Sequence, residues 1–140
     1  ASSASHVATS DLPRALLSVQ ALKQMPSITD AAFCEATLPY AIWGCPRLPP
    51  SIWAALFRFA WFFGYSRGAD TFRTTRARSK LAAEKLVDLA RTGSVLLVGH
   101  GIMNRLIARE LVAMGWSGPR SHKNHHWSAN VYVRRPNKRQ

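Results

Sequence analysis

The sequence predicts an α/β fold, a three-layer α/β/α sandwich with a mostly parallel sheet. Three observations support this prediction: strand-like and helix-like segments alternate along the chain, the strand-like segment Ser94–Val98 has four consecutive apolar residues after its serine, and a long amphipathic pattern over Thr71–Arg91 precedes it. An uninterrupted short apolar run is typical of a strand buried on both faces of a parallel sheet. Helices that alternate with such strands pack on the faces of the sheet.

The first predicted elements are a short strand, His6–Thr9, and a helix that reaches Leu22. We expect the Ser10 hydroxyl to cap the start of this helix, and Pro13 is compatible with its first turn. The next segment, Pro26–Pro50, is rich in proline and has no regular hydrophobic period. This composition predicts a long loop without secondary structure, and loops of this length are often functional.

The sequence from Ser51 onward predicts five further elements: two helices, a strand, a third helix and a last strand. In the second of these helices, Ala82 and Leu86 fall on the inward side, whereas Lys80 and Glu84 fall on the outward side. The predicted bounds are, in order, Ser51–Phe63, Thr71–Arg91, Ser94–Val98, Asn104–Met114 and Ala129–Arg135.

The composition fits a single domain over residues 1–140, because 47% of the residues are hydrophobic and can build one core. We expect Cys34 and Cys45 to be free thiols, since their spacing suits neither a disulfide framework nor a metal site. The longest apolar run, Ile52–Tyr65, contains Arg58 and is shorter than the roughly 20 residues of a membrane span. The chain does not begin with a signal-peptide pattern, which predicts a cytoplasmic location.

The net charge of +12 favours anionic partners: phosphorylated small molecules, nucleic acid or an anionic membrane surface. No nucleic-acid recognition module is visible, so we expect no specific nucleic-acid partner. His125 and His126 are adjacent, and in an extended segment their side chains point to opposite faces, which does not favour a metal site with His122. We therefore predict neither a metal nor another cofactor, and the oligomeric state stays open.

The residues best placed for chemistry are His100 and Arg14. His100 lies between two glycines at the end of a predicted strand, where Gly101 lets a ligand approach the backbone and the next helix presents its positive end. Arg14 lies in the first turn of the helix that follows the first strand. Because ligands of α/β sheets bind outside the carboxyl ends of strands, we expect Arg14 and His100 to meet at one edge of the sheet.

These segments resemble the histidine phosphatase superfamily, also called phosphoglycerate mutase-like. The resemblance covers most of the chain, and the order and separation of its motifs are more specific than any one of them. The matching segments are ATSDLPRALLSVQAL, with the arginine-bearing helix, GADTFRTTRARSKLAAEKLVDLA, the long helix, and SVLLVGHGIMNRLIARELV, with the histidine turn.

The resemblance implies a phosphomonoesterase that transfers the phosphoryl group of a small-molecule substrate to a catalytic histidine. It implies that Arg14 clamps the phosphate, with Gly101 beside it, and that His100 is the second pocket histidine, which stabilises the transferred group. It also implies a general acid in the loop after the arginine helix, where Glu35 is the available carboxylate.

One element of the family pattern, the Arg-His-Gly motif that carries the nucleophile, does not occur in the chain. We interpret the chain as an N-terminally incomplete phosphoglycerate mutase-like domain without its first βα unit, with an unpaired sheet edge and no activity of its own. The alternative is a relative that has lost catalysis and serves as a basic phospholigand-binding or scaffold module.

Overall fold

In the computed structural model, the described residues are 4–36, 49–63, 71–119, 121, 123, 125 and 127–134. The chain forms two compact units, one made of Ala1–Glu35 with Ser79–Gln140 and the other of Ala36–Arg78. The four candidate site residues, Arg14, Glu35, His100 and Gly101, all belong to the first unit.

The described residues form four α-helices, five short strands and one 3-10 turn at Ala31–Phe33. The helices are α1 (Pro13–Ala21), α2 (Pro50–Phe62), α3 (Phe72–Leu89) and α4 (Gly101–Ala113). The strands are β1 (His6–Thr9), β2 (Ile28–Thr29), β3 (Val95–Val98), β4 (Trp116–Ser117) and β5 (Val133–Arg134). All four predicted helices are present, and α4 begins at Gly101 rather than at Asn104.

The sheet of the first unit is parallel, with the strand order β2-β1-β3. Thr9, Thr29 and Val98, the last residues of the three strands, are in register. The predicted α/β class with a parallel sheet is therefore confirmed. Because the strands run in one direction, the side chains that follow β1 and β3 lie at the same edge of the sheet.

The strand β3 is less buried than its sequence predicts. All four residues of Val95–Val98 are half-buried, whereas an uninterrupted apolar run predicts burial on both faces. Within the described residues, β3 pairs with β1 and has no strand on its other side. An edge strand has a neighbour on one side only, which explains why its side chains stay partly exposed.

The core of the first unit lies between the sheet, the 3-10 turn, α3 and α4. Ala82 and Leu86 are buried on α3, as their spacing predicts, while Lys80 and Glu84 are exposed. The buried cluster consists of Ala8, Ala32, Phe33, Ala82, Ala83, Leu86, Met103, Ile107 and Leu111.

The segment after α1 corrects the prediction of a loop without secondary structure. It contains β2 and then the 3-10 turn, in which the N–H of Ala32 donates to the Asp30 carboxylate at 2.8 Å. Lys85 on α3 also donates to this carboxylate. These two hydrogen bonds, the one from Lys85 first, lower the pKa of Asp30. A strand of two residues is too short to show a hydrophobic period in the sequence, which is why β2 was not predicted. Residues 37–48 of the predicted loop lie outside the described residues.

The last predicted strand is only partly right. Of Ala129–Arg135, Val133 and Arg134 form β5, which pairs antiparallel with β4 in a separate two-stranded sheet. Arg135 lies outside the described residues. The end of the chain therefore adds no strand to the parallel sheet within the described part.

The second unit contains α2 and the first turns of α3. Trp61 is fully buried, and its ring packs edge-on against Phe72 with the ring centroids 5.2 Å apart. The ring of Phe62 also contacts Phe72, at 5.4 Å. These aromatic contacts join the end of α2 to the start of α3.

No helix in the described ranges has the length and apolar character needed to cross a membrane.

Candidate functional site

The site forms where β1 and β3 end. His100 directly precedes α4, and Arg14 lies in the first turn of α1, which follows β1. The Nε atom of Arg14 donates a hydrogen bond to Nδ1 of His100 at 3.2 Å. The structure thus places the guanidinium and the imidazole in direct contact, across 86 residues of sequence.

The two hydrogen bonds of His100 determine which ring nitrogen carries the proton. A guanidinium is always a donor, so Nδ1 of His100 accepts from Arg14 and is unprotonated. In a neutral ring the hydrogen then lies on Nε2, which is 2.8 Å from the buried hydroxyl oxygen of Ser10. We infer that Nε2 donates to Ser10. This tautomer is unsuited to accept the Ser10 proton, so the pair does not form a serine nucleophile with its base.

His100 is held in its neutral form by its surroundings. Its side chain is buried, with 8% of the residue exposed. Burial lowers the pKa of His100 below the usual 6.5, the positive charge of Arg14 lowers it further, and the negative charge of Glu35 opposes both effects. The neutral ring agrees with the hydrogen bond that it accepts from Arg14.

This lowered pKa makes the stability of the fold depend on pH. Below about pH 6.5 the unfolded chain binds more protons at His100 than the folded chain does, so the free energy of unfolding falls as the pH decreases toward the folded-state pKa. Above about pH 6.5 this contribution is fully present. We expect His100→Gln to lose less stability than the wild type between pH 7.5 and 5.5, measured by urea denaturation at each pH. The same loss in both proteins would contradict the lowered pKa.

Glu35 lies at the start of α4. Its Oε1 atom accepts a hydrogen bond from the backbone N–H of Met103 at 3.2 Å. First-turn N–H groups have no partner within their own helix and carry the positive end of the helix dipole, which favours a carboxylate there. The residue before Glu35, Cys34, donates a hydrogen bond from Sγ to the Asp11 carboxylate at 2.8 Å. Because it accepts a hydrogen bond from a first-turn N–H of α4, the carboxylate of Glu35 occupies a position that an anionic ligand also favours.

The two glycines beside His100 differ in the space around them. A Cβ atom on Gly99 would lie 2.5 Å from Oδ1 of Asn104, so a side chain there collides unless Asn104 moves. This Asn104 oxygen is buried and has no hydrogen-bond partner in the described structure. At Gly101, by contrast, a Cβ atom would have no neighbouring atom within 4 Å. At the start of α4 there is therefore free space next to Gly101, whereas the space next to Gly99 is filled by the side chain of Asn104.

Sequence reasoning placed Arg14, Glu35, Gly101 and His100 near one another, and the structure brings them together around the start of α4. It misassigned Ser10. The residue before α1 is Leu12, which makes no side-chain cap, and the Ser10 hydroxyl bonds to His100 instead. Ser10 directly follows β1. The rule that ligands bind where parallel strands end, which selected His100, therefore also applied to Ser10.

No group of three or more metal-ligating side chains occurs among the described residues. His122, His126 and Cys45 lie outside them. His6 opens β1 at the opposite end of the strand from the site, where its Nε2 atom is 2.9 Å from the Thr92 hydroxyl. His6 is thus remote from Arg14 and His100.

Comparison with protein-family models gives a match to the histidine phosphatase superfamily, branch 1, over residues 1–140. Comparisons with curated proteins and with solved structures give no significant match. The match agrees with the parallel sheet and with the histidine turn at the end of β3. The chain belongs to the histidine phosphatase superfamily (branch 1).

Proposed function

We propose that the chain is a phosphatase-type domain whose site binds the phosphoryl group of a phosphorylated small molecule. The observation that carries this proposal is the contact between Arg14 and the buried His100 at the end of β3. An arginine presents a planar set of donors that matches phosphate oxygens, and His100 directly precedes α4, whose first-turn N–H groups favour an anion.

A bound phosphoryl group would compete for two contacts within the site. The Arg14 guanidinium donates to Nδ1 of His100, and the Met103 N–H donates to Glu35. For Arg14 the anion replaces a neutral ring nitrogen with a charged acceptor, and hydrogen bonds to charged groups are stronger than those to neutral ones. The Met103 N–H would exchange one anionic acceptor, the Glu35 carboxylate, for another. In a domain that also carries the nucleophile, Glu35, displaced from the helix end but close by, would be the general acid for the leaving alcohol.

We do not expect this chain to hydrolyse its ligand. It contains no Arg-His-Gly motif. His6 lies at the other end of β1. These observations support the second candidate function equally, a non-catalytic module that binds a phospholigand.

Calorimetric titration with inorganic phosphate, together with a turnover assay on an aryl phosphate at mildly acidic pH, tests the proposal. We expect phosphate binding without turnover, and weaker binding in Arg14→Ala. Turnover that disappears in His100→Ala would overturn the expected inactivity and support an active phosphatase. No phosphate binding by the wild type would overturn the proposed function as a whole.

The variant Gly101→Ala tests whether the space next to Gly101 holds the ligand, because it is expected to change phosphate affinity but not fold stability. Because a Cβ meets no atom there, we expect the free energy of unfolding to stay within about 1 kcal/mol of the wild-type value. The added methyl group fills the proposed phosphate position, so we expect phosphate affinity to fall by about tenfold, equivalent to about 1.4 kcal/mol. Phosphate titration and urea denaturation of the same preparation provide the two values. Unchanged affinity would place the ligand elsewhere.

Gly99→Ala is the contrasting variant. Its Cβ would lie 2.5 Å from Asn104, so the strain of overpacking is expected to lower the free energy of unfolding by about 1–3 kcal/mol. Addition of Asn104→Ala removes the colliding atom and is expected to recover part of this loss. If the double variant is no more stable than Gly99→Ala, the collision is not the cause.

A further inference from the structure

The helix α2 exposes a stripe of large apolar side chains. Ile52, Leu56 and Phe59, with Phe63 just after the helix, recur at intervals of four, three and four residues and are between 45% and 78% exposed. This spacing places them on one side of a helix. The buried Trp61 and the half-buried Trp53 and Phe57 lie on the other side. We call Ile52, Leu56, Phe59 and Phe63 the apolar stripe.

The apolar stripe belongs to a helix with almost no polar surface. Ser51 and Arg58 are the only polar residues of α2. A helix that is apolar on nearly all sides is normally covered. At 13 residues, α2 is about 20 Å long, too short to cross a hydrocarbon core of about 30 Å. Because Trp53, Phe57 and Trp61 on its other side face the protein, a helix this short can present its apolar stripe to a bilayer only when it lies in the plane of the interface.

The charge of the sequence segment that contains α2 indicates which surface would cover the helix. Residues 36–78 contain six arginines and a single acidic residue, Asp70. Arg58 on α2 is exposed, and Arg73 is exposed on α3 next to Phe72, the residue that packs against Trp61. Exposed arginines in the same unit as the apolar stripe match the phosphates of an anionic bilayer, because their long side chains can reach the headgroups. The same positive charge opposes the approach of a second copy of the chain.

We propose that the apolar stripe docks on an anionic lipid bilayer, with α2 parallel to the membrane plane. The side chains of Phe59 and Phe63 enter the boundary between headgroups and acyl chains. Arg58 and Arg73, which lie outside the apolar stripe, extend their long side chains to lipid phosphates. Apolar burial supplies the affinity, and the arginines select anionic over zwitterionic lipid.

Sedimentation with vesicles tests this proposal with the full chain. We expect binding to vesicles of phosphatidylcholine mixed with phosphatidylglycerol, and little binding to phosphatidylcholine alone. The double variant Phe59→Ser/Phe63→Ser is expected to weaken binding by about tenfold or more. Arg58→Gln/Arg73→Gln is expected to remove the preference for the anionic mixture. Far-UV circular dichroism of each variant verifies that the helices are retained.

The matched control is Leu17→Ser/Val112→Ser, which removes two comparably exposed apolar side chains from α1 and α4. We expect it to bind vesicles as the wild type does. If the control lost as much vesicle binding as Phe59→Ser/Phe63→Ser, or if the wild type did not bind vesicles, the proposal would be overturned. A dimer in light scattering that the Phe59→Ser/Phe63→Ser variant dissociates, without vesicle binding, would assign the apolar stripe to a second copy and also overturn it.

Discussion

Replacement of Arg14 by Ala is expected to weaken the binding of inorganic phosphate by about ten- to a hundredfold. A hydrogen bond to a charged group contributes about 1.5–3 kcal/mol, and about 1.4 kcal/mol corresponds to a factor of ten. Arg14 is exposed, so its loss leaves the fold intact. The variant also removes a positive charge that lowers the pKa of His100, so this pKa is expected to rise. Calorimetry measures the affinity, and NMR titration of the ring measures the pKa.

Arg109→Ala is the matched control, because Arg109 is an exposed arginine on α4 and its removal changes the net charge equally. We expect neither phosphate affinity nor the His100 pKa to change in this variant. Arg14→Lys, which keeps the charge but not the planar set of donors, is expected to recover only part of the affinity. If Arg109→Ala and Arg14→Ala weakened binding equally, the effect would come from net charge rather than from the site.

Replacement of Phe33 by Ala is expected to lower the free energy of unfolding by about 3–5 kcal/mol. Phe33 is fully buried in the cluster that joins the 3-10 turn to α3 and α4. Its removal leaves a cavity and loosens the turn that precedes Glu35. We therefore expect the Glu35 contact with the start of α4 to weaken as well. Urea denaturation measures the stability.

Two control variants separate cavity formation from loss of an aromatic ring. Phe33→Leu keeps most of the buried volume and is expected to cost clearly less than Phe33→Ala. Phe63→Ala removes the same ring from a residue that is 78% exposed and is expected to change stability by less than about 0.5 kcal/mol. A loss for Phe33→Ala as small as that for Phe63→Ala would show that the turn does not pack as described.

The parts of the fold that the sequence predicts are those with long or unbroken patterns. His6–Thr9 and Val95–Val98 lie within predicted strands, and Ala82 and Leu86 are buried as their helical spacing indicates. The proximity of Arg14 and His100 was predictable too, because both follow parallel strands and such strands end at one edge of a sheet. A general rule of topology was sufficient for this contact.

The parts that the sequence does not predict depend on contacts between distant residues. The strand β2 has two residues, too few for a period, and its segment is fixed by the contact of Asp30 with Lys85. Ser10 has the sequence features of a helix cap, but the buried nitrogen of His100 is a partner that local sequence does not show. The roles of Arg14, Glu35 and His100 in binding or catalysis stay predictions.

The hydrogen bond between Arg14 and Nδ1 of His100 has a further consequence for how the site responds to acidity. This bond requires an unprotonated Nδ1. A ligand anion that draws Arg14 away frees Nδ1 and adds a negative charge nearby, so the ring is more basic when the anion is bound than when it is not. Ligand and proton therefore favour each other's binding, by thermodynamic reciprocity. The site is therefore expected to bind the proposed phosphate ligand more tightly in mildly acidic solution than at neutral pH.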